Sequence, residues 1–271
     1  MRSAGWLALP ATAYCVLLFA VPLALLLADS VRGPAGWTLN YYAGFLGSAS
    51  SWGVIGRTLR VAALTTGFCV LLAYPAAFAL ARARGRLQSV LVALLLLPLS
   101  LSVIVKAFGW TVLLRGNGPV NALLRALHLV DAPVRLLFTE TGLLLGTVNI
   151  FLPFMVLPVF ASVRQIDPRL LDAAATLGGG PLHVFCRVVL PLTGPGVLAG
   201  VTLVFSLSVA AYVIPTLLMG DAFQTLPTAV ATSFLFLQDP HRGAVAGVVL
   251  LALALGAVLV STLLGRRMGR A

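Results

Sequence analysis

Charged residues are scarce in this chain of 271 residues. They make up 9% of the sequence, whereas 60% of the residues are apolar and the mean hydropathy is +1.06. Soluble domains carry about 25% charged residues, so this chain cannot cover a water-exposed globule of its size. Several apolar runs reach about 20 residues, the length that crosses a bilayer as a helix. The composition therefore predicts an all-α, polytopic membrane protein.

The sequence also lacks the residue sets that catalysis and metal binding require. Lys106 is the only lysine and is followed by Ala107, so a P-loop of the Gly-Lys-Ser/Thr type is excluded. The three histidines are scattered without an HExxH motif, and the three cysteines have no metal-ligand spacing. We therefore predict a non-catalytic chain with no metal site and no cofactor of its own.

Acidic residues are few, and all of them fall outside the apolar runs. The seven are Asp29, Asp131, Glu140, Asp167, Asp172, Asp221 and Asp239. Carriers driven by protons or sodium usually hold ionisable groups inside the membrane, so this distribution argues against such a carrier. The formal charge of +11 comes mainly from arginines in short loops. Topology and lipid headgroups explain these arginines better than nucleic acid does.

Six apolar segments are predicted to span the membrane within a single domain, 1–271. They lie at approximately 7–28, 58–81, 87–110, 142–163, 193–219 and 243–264. Ten arginines fall on the same side as the two termini and seven on the opposite side. Because cytoplasmic loops are enriched in basic residues, both termini are predicted to be cytoplasmic. The loop at 165–192 is then cytoplasmic as well.

Three of the predicted spans begin with two glycines four residues apart. The pairs are Gly142 and Gly146, Gly196 and Gly200, and Gly243 and Gly247. This spacing lets helix backbones approach closely. Packing within the bundle and contact with another subunit are the two uses that the sequence leaves open.

The loop at 165–192 is neither long enough nor apolar enough to cross the membrane. It opens with Asp167, a good N-cap, and with Pro168, which suits the first position of a helix. Gly178–Gly180 are predicted to end this helix, and Pro181 to begin a second one. The second helix is predicted to stop at Leu190-Pro191, before the fifth span.

Both loop helices are predicted to be amphipathic. Their apolar positions are Leu170, Ala174 and Leu177 in the first helix and Leu182, Phe185 and Val189 in the second. Such helices can dock into the groove of a partner protein or lie on the membrane surface. The helical pattern alone does not choose between these two.

The spacing of residues along the loop resembles a known motif. The loop contains Asp-Ala-Ala, then three residues, Gly, nine residues, Val, one residue and Leu-Pro. This spacing is similar to EAA-x3-G-x9-I-x-LP, the cytoplasmic loop motif of permease subunits of binding-protein-dependent ABC importers. The matching residues are Asp172, Ala173, Ala174, Gly178, Val188, Leu190 and Pro191. The chain departs from the motif with Asp for Glu and Val for Ile. From about Leu39 onward it also resembles the first permease subunit of spermidine/putrescine importers, in the stretches LNYY, GNGPVN, LPFMVLPVFASVRQID and LPLTGPGVLAG.

The resemblance implies the type I permease fold of ABC importers and a location in the bacterial inner membrane. It implies a second, homologous permease, two copies of an ATPase that binds ATP and magnesium, and a periplasmic or lipid-anchored solute-binding protein. In that assembly the loop, with Phe185 among its residues, seats in a cleft of the ATPase. Asp172 pairs with a basic residue there, Ala173 and Ala174 allow close approach, and Gly178 makes the turn.

The implied function is import of a small solute by alternating access. A polyamine is expected; iron, thiamine and aminoethylphosphonate are alternatives, and a self-contained channel or secondary carrier is a rival. The proline-containing fourth and fifth spans are expected to form the pathway walls. Packing or snorkelling to the interface is the alternative role of the candidate pathway residues. These are Lys106, Trp110, Glu140, Asn149, Ser206, Ser208, Tyr212 and Asp221.

Overall fold

The computed structural model describes residues 5–33, 36–220 and 223–268, without the side chains of 5–9, 11, 175 and 264–268. Arg2, Arg270 and Asp221 lie outside the described residues. The described chain is helical apart from loops and two short antiparallel strands, β1 Arg32–Gly33 and β2 Gly36–Trp37. The helices are α1 Gly5–Val31, α2 Asn40–Gly47, α3 Ala49–Arg82, α4 Gly85–Ser100, α5 Val103–Leu113, α6 Pro119–Ala126, α7 Glu140–Arg164, α8 Pro168–Thr176, α9 Pro181–Val184, α10 Leu190–Val209, α11 Val213–Met219, α12 Leu226–Leu235 and α13 Pro240–Met268.

Five helical segments are long and apolar enough to cross a membrane. They are Thr12–Val31 in α1, Ala49–Arg82, Glu140–Arg164, the continuous helix Pro181–Val209, and Pro240–Leu263 in α13. The pair α4 and α5 passes the same test together, although the two helices meet at 100°. The described residues therefore contain five candidate spans, or six if this pair counts as one. The predicted class of polytopic helical protein is confirmed, and the sidedness of the termini stays a prediction.

The third predicted span, 87–110, is two helices with a sharp bend between them. Pro98 lies in the last turn of α4, and the Ile104 N–H at the start of α5 donates to the Ser102 hydroxyl at 3.3 Å. A proline at a helix end and a serine cap at the next helix start both favour a break. The bend at Leu101–Ser102 therefore follows from the local sequence.

The helix leading into the fifth span begins earlier than predicted. Helix α9 runs into a π-helical turn, Phe185–Val189, and this turn runs into α10 without interruption. The N–H of Leu190 donates to the carbonyl of Phe185, five residues back. In a regular α-helix the ring of Pro191 would clash with the carbonyl four residues back, and the wider π turn relieves that clash. The predicted helix stop at Leu190-Pro191 was therefore wrong.

The fifth predicted span, 193–219, is broken towards its far end. Helix α10 ends at Val209, and α11 begins at Val213. Pro215 favours the break, because in a continuous helix its ring would clash with the carbonyl of Ala211, four residues earlier. The span is thus a long helix followed by a short one, joined through three non-helical residues.

Short helices connect the spans on the predicted outer side. Helix α2 lies in a segment rich in aromatic residues, and α6 follows the GNGPVN turn. No helix was predicted between the fifth and sixth spans, where α12 lies. Its start is capped by the Thr225 N–H, which donates to the Thr228 hydroxyl at 2.8 Å. Two threonines three residues apart around Pro227 were the signal that sequence reasoning missed.

Helices α3, α7 and α10 form the centre of the bundle. Ala77 of α3, Met155 of α7 and Val204 of α10 are each 0% exposed within one apolar cluster. A hydroxyl pair, Thr65 and Thr147 at 3.0 Å, joins α3 to α7. With 34 residues, α3 is about 51 Å long, which exceeds the hydrocarbon thickness of about 30 Å. It therefore reaches both predicted aqueous sides.

Glycines bring α10 directly against α7. A Cβ atom at Gly196 would lie 2.5 Å from the Pro158 carbonyl oxygen, and one at Gly200 would lie 2.5 Å from the Met155 Sδ. Gly146 has a similarly close neighbour on α11. Of the two uses that the sequence left open, the structure shows packing within the bundle for these three glycines.

We expect the substitution Gly196→Ala to destabilise the bundle, because the new methyl group would clash with backbone atoms of α7, which cannot move away as a flexible side chain can. Overpacking of this kind lowers the free energy of unfolding by about 1–3 kcal/mol. The control is Gly67→Ala, since nothing lies within 4 Å of that Cβ position. Thermal unfolding of the purified proteins in detergent measures both. Equal midpoints for the two variants would contradict the packing argument.

Candidate functional site

The loop at 165–192 begins with a capped helix, as the sequence predicts. The N–H of Arg169 donates to the Asp167 carboxylate at 2.9 Å, so Asp167 caps α8. Asp172 is exposed on the second turn of α8. Within the described residues, Asp172 forms no ion pair, and the single ion pair there is Arg60 with Glu140. The motif carboxylate is therefore available to a group outside this chain.

Two of the three consecutive glycines have a conformational reason to be glycine. Gly178 has φ +83°, in the left-handed region that other residues rarely adopt. The N–H of Gly179 donates to the Ala174 carbonyl at 3.1 Å, and a Cβ on Gly179 would lie 2.7 Å from that same oxygen. Gly180 has φ −62°, with open space around its Cβ position. The tight turn thus needs glycine at 178 and 179 but not at 180.

Three leucines project from the loop without covering one another. Leu170, Leu177 and Leu182 are 49%, 89% and 75% exposed. Leu177 and Leu182 flank the glycine turn, so the most exposed apolar surface of the loop lies at its tip. Fully burying one leucine stabilises a protein or a complex by about 1.5–3 kcal/mol. A partner that covers this tip would gain apolar burial from both side chains.

The second half of the loop faces the bundle instead. The Phe185 ring lies edge-on to Tyr74 of α3, with centroids 5.2 Å apart, and tilted against Phe78 at 6.5 Å. Val189 is buried, whereas Val188 is half-buried. Leu190 and Pro191, the last motif residues, are exposed on the first turn of α10. The loop therefore has an exposed tip and an anchored base.

Hydrogen bonds extend this anchor. The hydroxyl of Thr193 donates to the Val189 carbonyl at 2.8 Å, and the Tyr74 hydroxyl lies 3.0 Å from the Thr193 oxygen. Since the single hydroxyl hydrogen of Thr193 is already used, Tyr74 is the donor. A cleft of about 640 Å³ opens beside the anchor, between α3 and the loop, with Arg82 and Leu171 on its walls. Sequence reasoning missed Tyr74 and Thr193, which appear in the sequence only as polar residues within apolar runs.

Two of the candidate pathway residues contact each other. The indole N–H of Trp110 on α5 donates to the Asn149 side-chain oxygen on α7 at 3.2 Å. Both line a groove of about 470 Å³ whose other walls include Phe68 and Leu152. Lys106 is half-buried, one turn before Trp110 on the same helix. The predicted pathway residues of the third and fourth spans thus lie together.

The candidates of the fifth span cluster at its break. Ser206 and Ser208 are in the last turn of α10, and both hydroxyl oxygens are buried without a hydrogen-bond partner in the described structure. Tyr212 is 39% exposed in the segment that joins α10 to α11. Helix α11 packs against α5 and α7, so this break adjoins the elements that carry Trp110 and Asn149.

The acidic candidate at the predicted outer mouth is not free. Glu140, at the start of α7, lies 3.0 Å from the Arg60 side chain of α3. Nearby on α3, the Arg57 guanidinium lies 5.5 Å from the centroid of the Phe223 ring. Among the described residues at this end of the bundle, Arg57 and Arg60 of α3 therefore lie near Glu140, the carboxylate at the start of α7. Asp221, the other predicted acidic candidate, lies outside the described residues.

The sequence is similar to those of known transport proteins over most of its length. Residues 70–270 match the family described as binding-protein-dependent transport system inner membrane component. The chain is 32% identical over 197 residues to PotB of Escherichia coli, a spermidine/putrescine transport system permease protein, covering 73% of this chain and 72% of that protein. It is 33% identical over 180 residues to ModB of Azotobacter vinelandii, a molybdenum transport system permease protein, covering 66% and 78%.

One solved structure shares the fold over nearly the whole length. It belongs to a bacterial ABC transporter involved in the import of the acidic polysaccharide alginate. The TM-score is 0.79 at 17% sequence identity, and the match covers 96% of this chain and 94% of that chain. At this identity the likeness concerns the fold alone.

We expect Gly178→Ala to loosen the turn at the tip of the loop. The left-handed conformation costs a residue with a side chain about 1–2 kcal/mol, which weakens the bond from the Gly179 N–H to Ala174. Hydrogen–deuterium exchange at residues 174–182 should become several-fold faster. Gly180→Ala is the matched control, because neither its φ nor its surroundings oppose a methyl group. Equal exchange rates in the two variants would argue against a strained turn.

Proposed function

This chain belongs to the family of binding-protein-dependent transport system inner membrane components, and from that premise we propose that it forms half of a pathway importing a polyamine. Members of this family are permease subunits of ABC importers and are non-catalytic. The chain is accordingly a multi-pass inner membrane protein that moves solute without performing chemistry on it. Its energy comes from another subunit.

We infer that the loop at 165–192 is the contact with an ATPase. The observation that carries this proposal is the exposed tip: Asp172 is unpaired within the described chain, and Leu177 and Leu182 are largely uncovered. A carboxylate beside apolar side chains fits a groove with a basic residue at its rim. Ala173, which is exposed, and Ala174, which is half-buried, leave room for close approach along α8.

The proposed assembly contains this chain, a second homologous permease, two copies of the ATPase and a solute-binding protein on the outer side. ATP and magnesium bind to the ATPase in this proposal. When the two ATPases close on ATP, they draw the two permease loops together and turn the bundle outward. The binding protein then delivers its solute to the outer mouth, and ATP hydrolysis returns the bundle to the inward-facing state.

The proposed pathway follows the fourth and fifth spans. The groove at Trp110 and Asn149 and the break beside Ser206, Ser208 and Tyr212 lie on elements that pack together. The two buried serine hydroxyls have no hydrogen-bond partner in the described structure, and in this proposal opening of the break exposes them to a hydrogen-bonding solute. Lys106 lies next to this region, where it can face the pathway or reach the membrane interface.

Relatedness to PotB supports a polyamine as the solute. The described charges support it less, because Glu140 already has Arg60 as its partner and a polyamine prefers a free carboxylate. A pathway of weak affinity, with selection by the binding protein, accommodates a polyamine under these conditions. The arginines beside Glu140 and the relatedness to ModB make an anion such as molybdate the second candidate.

We expect Asp172→Lys to weaken association with the ATPase at least tenfold. Reversing the charge replaces an attraction by a repulsion, and tenfold corresponds to about 1.4 kcal/mol. Co-purification of the tagged ATPase with the permease measures the effect. Asp131→Lys is the control, because it makes the same charge change at an exposed residue on the predicted outer side. If the ATPase binds both variants as well as the original chain, the loop is not its contact.

We expect proteoliposomes with the complete assembly to accumulate spermidine or putrescine when ATP is inside. The panel also includes thiamine, iron(III), aminoethylphosphonate and molybdate. A non-hydrolysable ATP analogue should abolish accumulation, whereas a channel or secondary carrier would let solute in through this chain alone. Accumulation of molybdate without either polyamine would replace the proposed solute by the second candidate.

A further inference from the structure

The main chain is weakened where the loop meets the bundle. Pro191 and Pro195 have no N–H, so carbonyl groups in the preceding turns lose their usual helical partners. The π-helical turn Phe185–Val189 widens the helix at the same place. Helices bend most readily at prolines and π turns. If the loop tip moved, the helix would therefore bend at this junction and the movement would not reach the bundle, unless side chains held the junction together.

Helix α3 is weakened at the same level. Pro75 lies inside α3 and is the neighbour of Tyr74, which contacts the loop. Like every interior proline, it removes one main-chain hydrogen bond and makes bending easier at its turn. Two softened helix segments thus meet face to face, one in the loop and one in α3.

Side chains join these two segments directly. The Phe185 ring lies edge-on to Tyr74 with an interplanar angle of 77°, a favourable arrangement for an aromatic pair. On the α10 side, the Tyr74 hydroxyl donates to Thr193, which in turn donates to Val189 at the end of the π turn. Tyr74 is 9% exposed, and Thr193 and Val189 are 0% and 4% exposed, so these bonds are largely shielded from solvent.

The surrounding space permits the junction to move as a unit. The cleft of about 640 Å³ lies between α3 and the loop, and Tyr74, Pro75 and Phe185 are all on its walls. A rigid, fully packed site would resist displacement of the loop. Here the loop can swing towards or away from α3, while the aromatic contact and the hydroxyl chain keep it attached.

We propose that Tyr74 is the positioning residue that transmits movement of the loop to helix α3, through its contacts with Phe185 and Thr193. This inference rests on the proposed function, since it assumes that an ATPase moves the loop. Without the tyrosine ring, the loop would still bind the ATPase through its exposed tip. Its movement would then bend the π turn and tilt α3 much less, because the wider contact of Phe185 with Phe78 would be the remaining ring contact to α3 in the described structure. ATP would therefore be hydrolysed with little transport.

The test uses the complete assembly in proteoliposomes and whichever panel solute the original chain accumulates. It measures solute molecules accumulated per ATP hydrolysed. Tyr74→Leu removes the ring and the hydroxyl, and we expect that ratio to fall at least fivefold while the ATPase still co-purifies. Tyr74→Phe keeps the ring contact with Phe185, and we expect it to retain at least half of the ratio. Phe160→Leu is the matched control, because Phe160 stacks with Arg164 on α7 and not with the loop.

A double variant separates transmission from general instability. If Tyr74 and Phe185 act through one contact, Tyr74→Leu combined with Phe185→Leu should lower the ratio no further than the worse single change does. Losses that multiply, or a ratio unchanged by Tyr74→Leu, would overturn the inference and leave the proposed function intact. Failure of the original assembly to form or to accumulate any panel solute would overturn the proposed function and the inference with it.

Discussion

Close contact between α7 and α10 is the constraint on which the rest of the structure depends. Gly196 and Gly200 let the two backbones touch near the ends that the loop connects. The last residue of α7 and the first residues of the helix after the loop are therefore held together. A loop between two fixed, adjacent ends has to fold back on itself, and this return requires the tight glycine turn at 178 and 179. The exposed tip is thus a consequence of packing inside the membrane.

Prolines set where the helices bend, and the sequence predicts their effects only in part. Hydropathy located the apolar segments, because length and composition are local properties. It did not show that the helices break after Pro98 and before Pro215, whereas Pro153 and Pro158 lie within an uninterrupted α7. Nor did it show that the main chain would pass Pro191 through a π turn. The Ser102 cap is a local signal for the bend after Pro98, whereas the outcomes at the other prolines depend on packing that no local pattern contains.

The candidate site likewise has some features that the sequence predicts and others that it does not. The capped start of α8, the glycine turn and the motif acid follow from short spacings, and all three were predictable. The inward orientation of Phe185 was not, because its partner Tyr74 lies more than a hundred residues earlier in the chain. The ion pair of Glu140 with Arg60 has the same origin. Contacts between residues far apart in the chain decide which predicted side chains remain free to bind a solute or a partner. A single sequence cannot identify such contacts.

The three glycines of the turn also bear on how this loop can vary between species. Position 178 requires a left-handed backbone and position 179 lies against the Ala174 carbonyl, so drift at either position would disturb the turn. Position 180 has neither restriction. Over evolutionary time it is the place where homologous chains can exchange glycine for a polar or bulky residue. Such changes would alter the exposed surface of the loop while the geometry of the turn is preserved.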